Sequence, residues 1–288
     1  MALAKGYPGS VSQTSTTTAA APSGDHSGGG YFGPDSVTRR VISDPAAAVG
    51  GLRALFLQAL HPRAMAGVAQ HSRFVEDFWP RLHRTAQYVT TVAFGSTEEA
   101  DAAAARVREV HQRIRGTDPV TGQAYAASDP DLLCWVHVTE VSSFLETVRR
   151  AGARVTDAEA DLYYAEQVRA ATLVGAVDVP SNQAEVADYL RSMRPQLRAS
   201  AVARHAALRL LLPPLPARLE FLTPARLAWT TVATLAFALL PRWARRCYGL
   251  PGLPATDLAA TVALRGLRTT VLAIPPSLLP RRKHATDA

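Results

Sequence analysis

Residues 96–150 read STEEADAAAARVREVHQRIRGTDPVTGQAYAASDPDLLCWVHVTEVSSFLETVRR, and the way this stretch starts and stops decides the fold class. Ser96 with Glu99 three residues on forms a capping box, which satisfies two free N–H groups at a helix start. It opens a helix rich in Ala, Glu and Arg that is expected to run through Arg115, with Gly116 placed to stop it. Residues 117–128 carry turn formers and no apolar alternation, so they read as a loop. Asp129-Pro130 opens a second long helix, with proline where no backbone donor is required, and Gly152 ends it.

The same punctuation recurs on both sides. Asp44-Pro45 opens AAAVGGLRALFLQAL up to His61-Pro62, where the proline forces a break, and RAMAG resumes a short helix to Gln70. Trp79-Pro80 opens RLHRTAQYVTTVAF. Further helices are expected over residues 157–173 and, capped by Ser181, through Met193. Pro213-Pro214-Leu215-Pro216 separates two later helices, and residues 256–273 make the last. No strand pair and no repeat period stand out. The pattern predicts an all-α fold, a single domain of about eight to ten helices over residues 37–275. Before it, residues 1–36 read as a disordered arm, Ser/Thr/Gly/Ala-rich and without periodicity; after it, residues 276–288 form a basic tail. No apolar run follows Lys5, so the arm does not read as a secretory signal and the chain is expected in the cytoplasm.

Composition bounds the function. At 48% hydrophobic and 19% charged the chain is globular, and two cysteines, Cys134 and Cys247, cannot build a disulfide framework or a cysteine-rich zinc site. The longest apolar run, residues 227–240, holds threonines and is shorter than the roughly 20 residues a spanning helix needs. The net charge of +7 is uneven: residues 204–288 carry twelve Lys/Arg against three Asp/Glu, residues 1–203 nineteen against twenty-one. No nucleic-acid motif or interleaved aromatics accompany the basic third, so no nucleic acid is expected as partner. That third reads either as a solvated arginine-rich face or as a basic surface meeting anionic lipid or an acidic partner, which would make the protein peripheral to a membrane.

Histidines are the scarce chemical side chains. His26 and His284 fall in the tails, His83 and His205 read as surface or packing residues, and His61 and His71 are too far apart across Pro62 to share a face. The helix from Trp79 sets Arg81, Thr85, Tyr88 and Val92 about one turn apart, with Arg84 adjacent. This is either an exposed strip or a row of donors aimed inward at an anionic or oxygen-bearing ligand. His111 continues the apolar face Ala100, Ala104, Val107, with Ile114 and Arg115 beyond it, and reads either as a satisfied core residue or as a ligand. His137 sits between Leu133 and Val141 on an inward face, with Glu140 three residues on. The two could share a metal, but bundle carboxylate sites use Glu-x-x-His from two helices, and here the order is reversed and single.

Four segments together go further: GLRALFLQALHPRAMAGVAQHSRF, RLHRTAQYVTTVAFG, VREVHQRIRG and LLCWVHVTEVSSF. Over residues 37–250 the chain resembles the catalytic-domain family shared by bacterial rubber oxygenases (latex-clearing protein) and the MpaB oxygenase of the mycophenolic-acid pathway. The resemblance implies an all-α fold binding haem b, its iron the metal, and oxidative cleavage of an isoprenoid double bond by dioxygen. By motif, His111 matches the axial haem histidine and Arg115, one turn on, completes HxxxR. Arg81 and Thr85 match the polar pair of RLxxT, where they would hydrogen-bond the oxygen or hold a haem propionate. His137 matches the histidine of the later helix, as a supporting donor, a distal residue or a general base. The family's lysine in RLxKT is Arg84 here, a permanently protonated group that cannot ligate iron but could serve the same two jobs as Arg81. Without an export signal, a small intracellular apolar molecule, isoprenoid or secondary metabolite, fits better than extracellular polymer. The rival reading is a non-catalytic helical protein that binds an apolar ligand or docks on membranes. A Soret band separates the two.

Overall fold

The computed structural model describes residues 29–72, 77–214 and 223–275. Its centre is a pair of helices, α2 (Ala46–Gln58) and α6 (Pro130–Arg150), which make the most extensive contact of any two elements. Val49, Leu52, Phe56 and Leu57 of α2 meet Trp135, Val138, Val141 and Phe144 of α6, all buried. Each such side chain contributes about 1.5–3 kcal/mol on leaving water. Glycine and alanine let α2 be covered on its other side as well, by α10 (Thr223–Ala238), through Ala233 and Ala236.

Helix starts follow local chemistry. The Asp44 carboxylate accepts from Ala46 N at 2.9 Å to open α2, and the Ser96–Glu99 capping box opens α5 (Thr97–Arg113). A second box, Thr156–Glu159, opens α7 (Asp157–Val174). Pro62 starts α3 (Pro62–His71), and α4 (Phe78–Phe94) follows. Asn182, one residue beyond the expected Ser181, caps α8 (Gln183–Met193); Ser181 instead donates its hydroxyl to Glu185. The later helices are α9 (Ala201–Leu211) and α12 (Pro254–Leu272).

Twelve α-helices stand among the described residues, two above the upper expectation. The additions are α1 (Val37–Ser43) and α11 (Arg242–Cys247), each too short to show a period. The expected absence of a strand pair is also corrected. Strand β1 (Arg115–Thr117) pairs antiparallel with β2 (Ala124–Ala126), Gly116 opposite Tyr125. The Asp118 carboxylate folds the turn by accepting from Val120 N and Thr121 N, and Tyr125, 4% exposed, anchors it through a 2.8 Å bond to Gln70. Gly116 is therefore no helix stop. A Cβ there would lie 2.6 Å from Gln70 Oε1 and 2.7 Å from Tyr125 Oη, so only glycine lets the hairpin close on α3.

Ordered packing starts before Val37. Phe32 is buried against Val92 and Ala100, and Tyr31 donates to Asp101 at 2.6 Å under the Arg169 guanidinium. Residues 1–28, residues 276–288 and Leu215-Pro216, with His26 and His284, lie outside the described residues. Among those described, no helix is long and apolar enough to cross a membrane.

Candidate functional site

Helix α5 lies against α4 and α7, while α6 packs on α2 and α7; neither α4 nor α5 is closely packed on α6. Side chains of the three helices still lie within electrostatic reach of one another: Arg81 on α4 acts on His111 on α5, and Glu140 on α6 acts on Tyr88 on α4, with His137 one turn before Glu140. All five keep partial exposure although protein surrounds them deeply enough to shift every one of their pKa values.

His111 has a buried Nδ1 with no hydrogen-bond partner among the described residues. Burial first, then the Arg81 charge, lowers its pKa below the usual 6.5, so it is a neutral imidazole at physiological pH. Ala100 and Ala104, both fully buried, continue its face. Burial alone pushes His137 down to about 4 and Glu140 up to about 7. The Glu140 carboxyl has no hydrogen bond or ion pair among the described residues, and its charge acts on Tyr88 of α4 and on Tyr163 of α7. Tyr88 Oη is also buried without a partner there, and burial followed by Glu140 moves its pKa to about 12. Glu140 thus holds a proton near neutrality beside two tyrosines that keep theirs.

The α4 face divides between the two readings open to it. Arg81 is half-buried and donates to Ser72 Oγ at the end of α3; burial and Arg84 lower its pKa without discharging it. Arg84 and Thr85 are exposed, and the Thr85 hydroxyl bonds back to Arg81 O at 3.1 Å. Arg115 is not one helical turn beyond His111: the chain leaves α5 at Ile114, whose backbone is extended, and Arg115 begins β1 with its side chain exposed. Its carbonyl instead accepts from His71 Nε2 at 2.9 Å. His61 is an internal cap, with Nδ1 facing Ala64 N at 3.5 Å and its ring beside Trp135. Burial, then Arg63, holds its pKa at about 4. His83 and His205 are exposed.

Sequence reasoning placed Tyr88 on the polar face without a role and Tyr163 not at all. A tyrosine inside a core-facing stripe was the available signal. No three His, Cys, Asp or Glu side chains gather into a metal site among the described residues, so the His137–Glu140 pair is not completed as a metal cage there. Among the described residues two imidazole nitrogens are buried without a hydrogen-bond partner, His61 Nε2 and His111 Nδ1.

The family model for the catalytic domain of ER-bound oxygenase mpaB/B′ and rubber oxygenase matches residues 39–273. This chain belongs to that family. The match runs from α1 past the end of α12, so the MpaB/rubber oxygenase domain takes in α4, α5 and α6 and nearly all of the described fold. No curated protein and no solved structure matches the chain. Family membership makes this an oxygenase-type catalytic domain, and two of its buried unpartnered polar atoms, Tyr88 Oη and His111 Nδ1, stand on neighbouring helices α4 and α5.

Proposed function

We propose that this family member is a haem-dependent oxygenase that uses dioxygen to oxidise a small apolar substrate, with haem b as its cofactor. The observation that carries the reading is the neutral His111, its Nδ1 buried and unpartnered among the described residues, within electrostatic reach of Arg81 on the neighbouring helix. His111 would hold the haem iron, and the charged Arg81 would hold a propionate or hydrogen-bond dioxygen; the exposed Arg84 and Arg115 would pair with propionates. Thr85 offers a hydroxyl on the same helix. Bound there, haem would supply the activation of dioxygen. Of the chain's own residues, Glu140 can give or take a proton near neutral pH beside the neutral His137.

The test is the purified full chain with added hemin. A Soret band that saturates at one hemin per chain is expected in the wild type. His111→Ala should lose or shift it while far-UV circular dichroism stays helical. Arg81→Ala and Thr85→Ala should keep most of it and alter oxygen reactivity. A wild type that takes up no hemin overturns the proposal and favours an apolar-ligand-binding protein. A loaded His111→Ala variant with an unaltered spectrum moves the ligand to His137 or His71.

A further inference from the structure

Helix α12 is apolar on two sides. Ala260 and Leu264 are buried in the core, whereas Leu258, Val262 and Leu272 are 68%, 62% and 56% exposed. These three fall on one line of the helix with the exposed Arg265 and Thr269, at spacings of three and four residues. Gly266, Thr269, Thr270 and Ala273 form a shallow groove beside them. The loop entering α12 adds Leu250 and Leu253, 49% and 54% exposed. Arg265 is the one charge on the line, and its Nε is turned to the Arg150 carbonyl at 3.2 Å. A water-facing helix side normally carries charges. This one presents large aliphatic groups at three of its five positions, Leu258, Val262 and Leu272, which marks a contact surface.

Charge decides what could cover it. Residues 204–288 hold twelve Lys/Arg against three Asp/Glu. One of the three, Asp257, is spent on Arg242 and Arg245. Arg246 is exposed close before α12, and Arg281, Arg282 and Lys283 follow it in the sequence. A second copy docked on this face would set two cationic thirds against each other. An anionic bilayer complements both the aliphatic line and the charge. We propose that α12 and the loop of residues 250–253 dock this protein on anionic membranes, with the aliphatic side chains at the headgroup–acyl boundary. The proposal is independent of the oxygenase reading.

The experiment is co-sedimentation of the full chain with phosphatidylcholine vesicles, with and without about 30 mol % phosphatidylserine, at about 0.1 M salt. The wild type should sediment only with the anionic vesicles and should be released on raising salt to about 0.5 M. Leu258→Ser combined with Val262→Ser should keep the wild-type melting temperature and bind about tenfold or more weakly. Replacing Arg281, Arg282 and Lys283 by glutamine should weaken binding in the same direction. No sedimentation of the wild type, or equal binding by the serine variant, overturns the proposal. So does a wild-type dimer that the serine variant converts to a monomer without any vesicle binding. Hemin uptake is expected to be the same in all these variants, so a failure here is distinguishable from a failure of the oxygenase reading.

Discussion

Gly50 and Gly51 lie side by side in α2, and the structure assigns them opposite roles. By propensity alone, replacing either with alanine should stabilise the helix by about 0.5–1 kcal/mol. A Cβ on Gly50, however, would stand 2.9 Å from Ser143 O, 3.0 Å from Phe144 Cα and 3.2 Å from Ser143 C. These are backbone atoms of α6 and cannot rotate aside. Relieving the contact requires α2 to move off α6 by roughly half an ångström, and a gap of that size forfeits about a quarter or more of each dispersion contact it opens. The loss falls on Val49, Leu52 and Phe56 against Trp135, Val138 and Phe144, the centre of the core. Net of the helix gain, Gly50→Ala should cost about 2–4 kcal/mol and lower the melting temperature by roughly 5–10 °C. Gly51 meets only the Phe144 ring, Cε1 at 3.4 Å and Cζ at 3.9 Å, an edge that can yield. Gly51→Ala should therefore be neutral or raise the melting temperature by about 1–3 °C. Thermal and urea unfolding followed by circular dichroism reads both. If Gly50→Ala is as stable as the wild type, or both variants shift the same way, the close α2–α6 approach is refuted.

Glu140 gives a pH signature. Its folded value of about 7 lies above the usual 4.5, so the folded chain holds a proton that the unfolded chain has lost between those values, and stability falls as pH rises through that window. Glu140→Gln should therefore be about 1–3 kcal/mol more stable than the wild type above pH 7, with the difference vanishing near pH 4, as urea midpoints across pH would show. Ser96→Ala removes the N-cap of the helix carrying His111 and should cost about 1 kcal/mol by the same assay, with the hemin spectrum unchanged. Deleting residues 1–28, which hold little apolar surface, should leave the melting temperature unmoved. Extending the deletion to residue 35 removes the buried Phe32 and the Tyr31–Asp101 bond and should lower it by about 5 °C or more in a thermal scan.

The starts of α2, α5 and α6 were legible because Asp44, Ser96–Glu99 and Pro130 act within one turn of themselves. Helical periodicity likewise turned His111 and His137 toward the interior, since it depends only on neighbours three and four residues away. Other features depend on segments far apart in the chain. The exit of the chain at Ile114 separates Arg115 from His111 and needs the hairpin, whose anchor is the Tyr125–Gln70 bond. Arg53 is buried without a carboxylate because Leu239 O and Ser143 Oγ, 186 and 90 residues away, accept its protons. Glu140 reaches a pKa of about 7 because packing of distant segments buries its carboxyl. The exposed line on α12 likewise reads as core until packing leaves it uncovered. Local sequence therefore settled where helices begin and which sides of them are apolar. Burial, partnership and titration were decided only when distant segments packed, because desolvation is set by everything that surrounds a group and not by its neighbours along the chain.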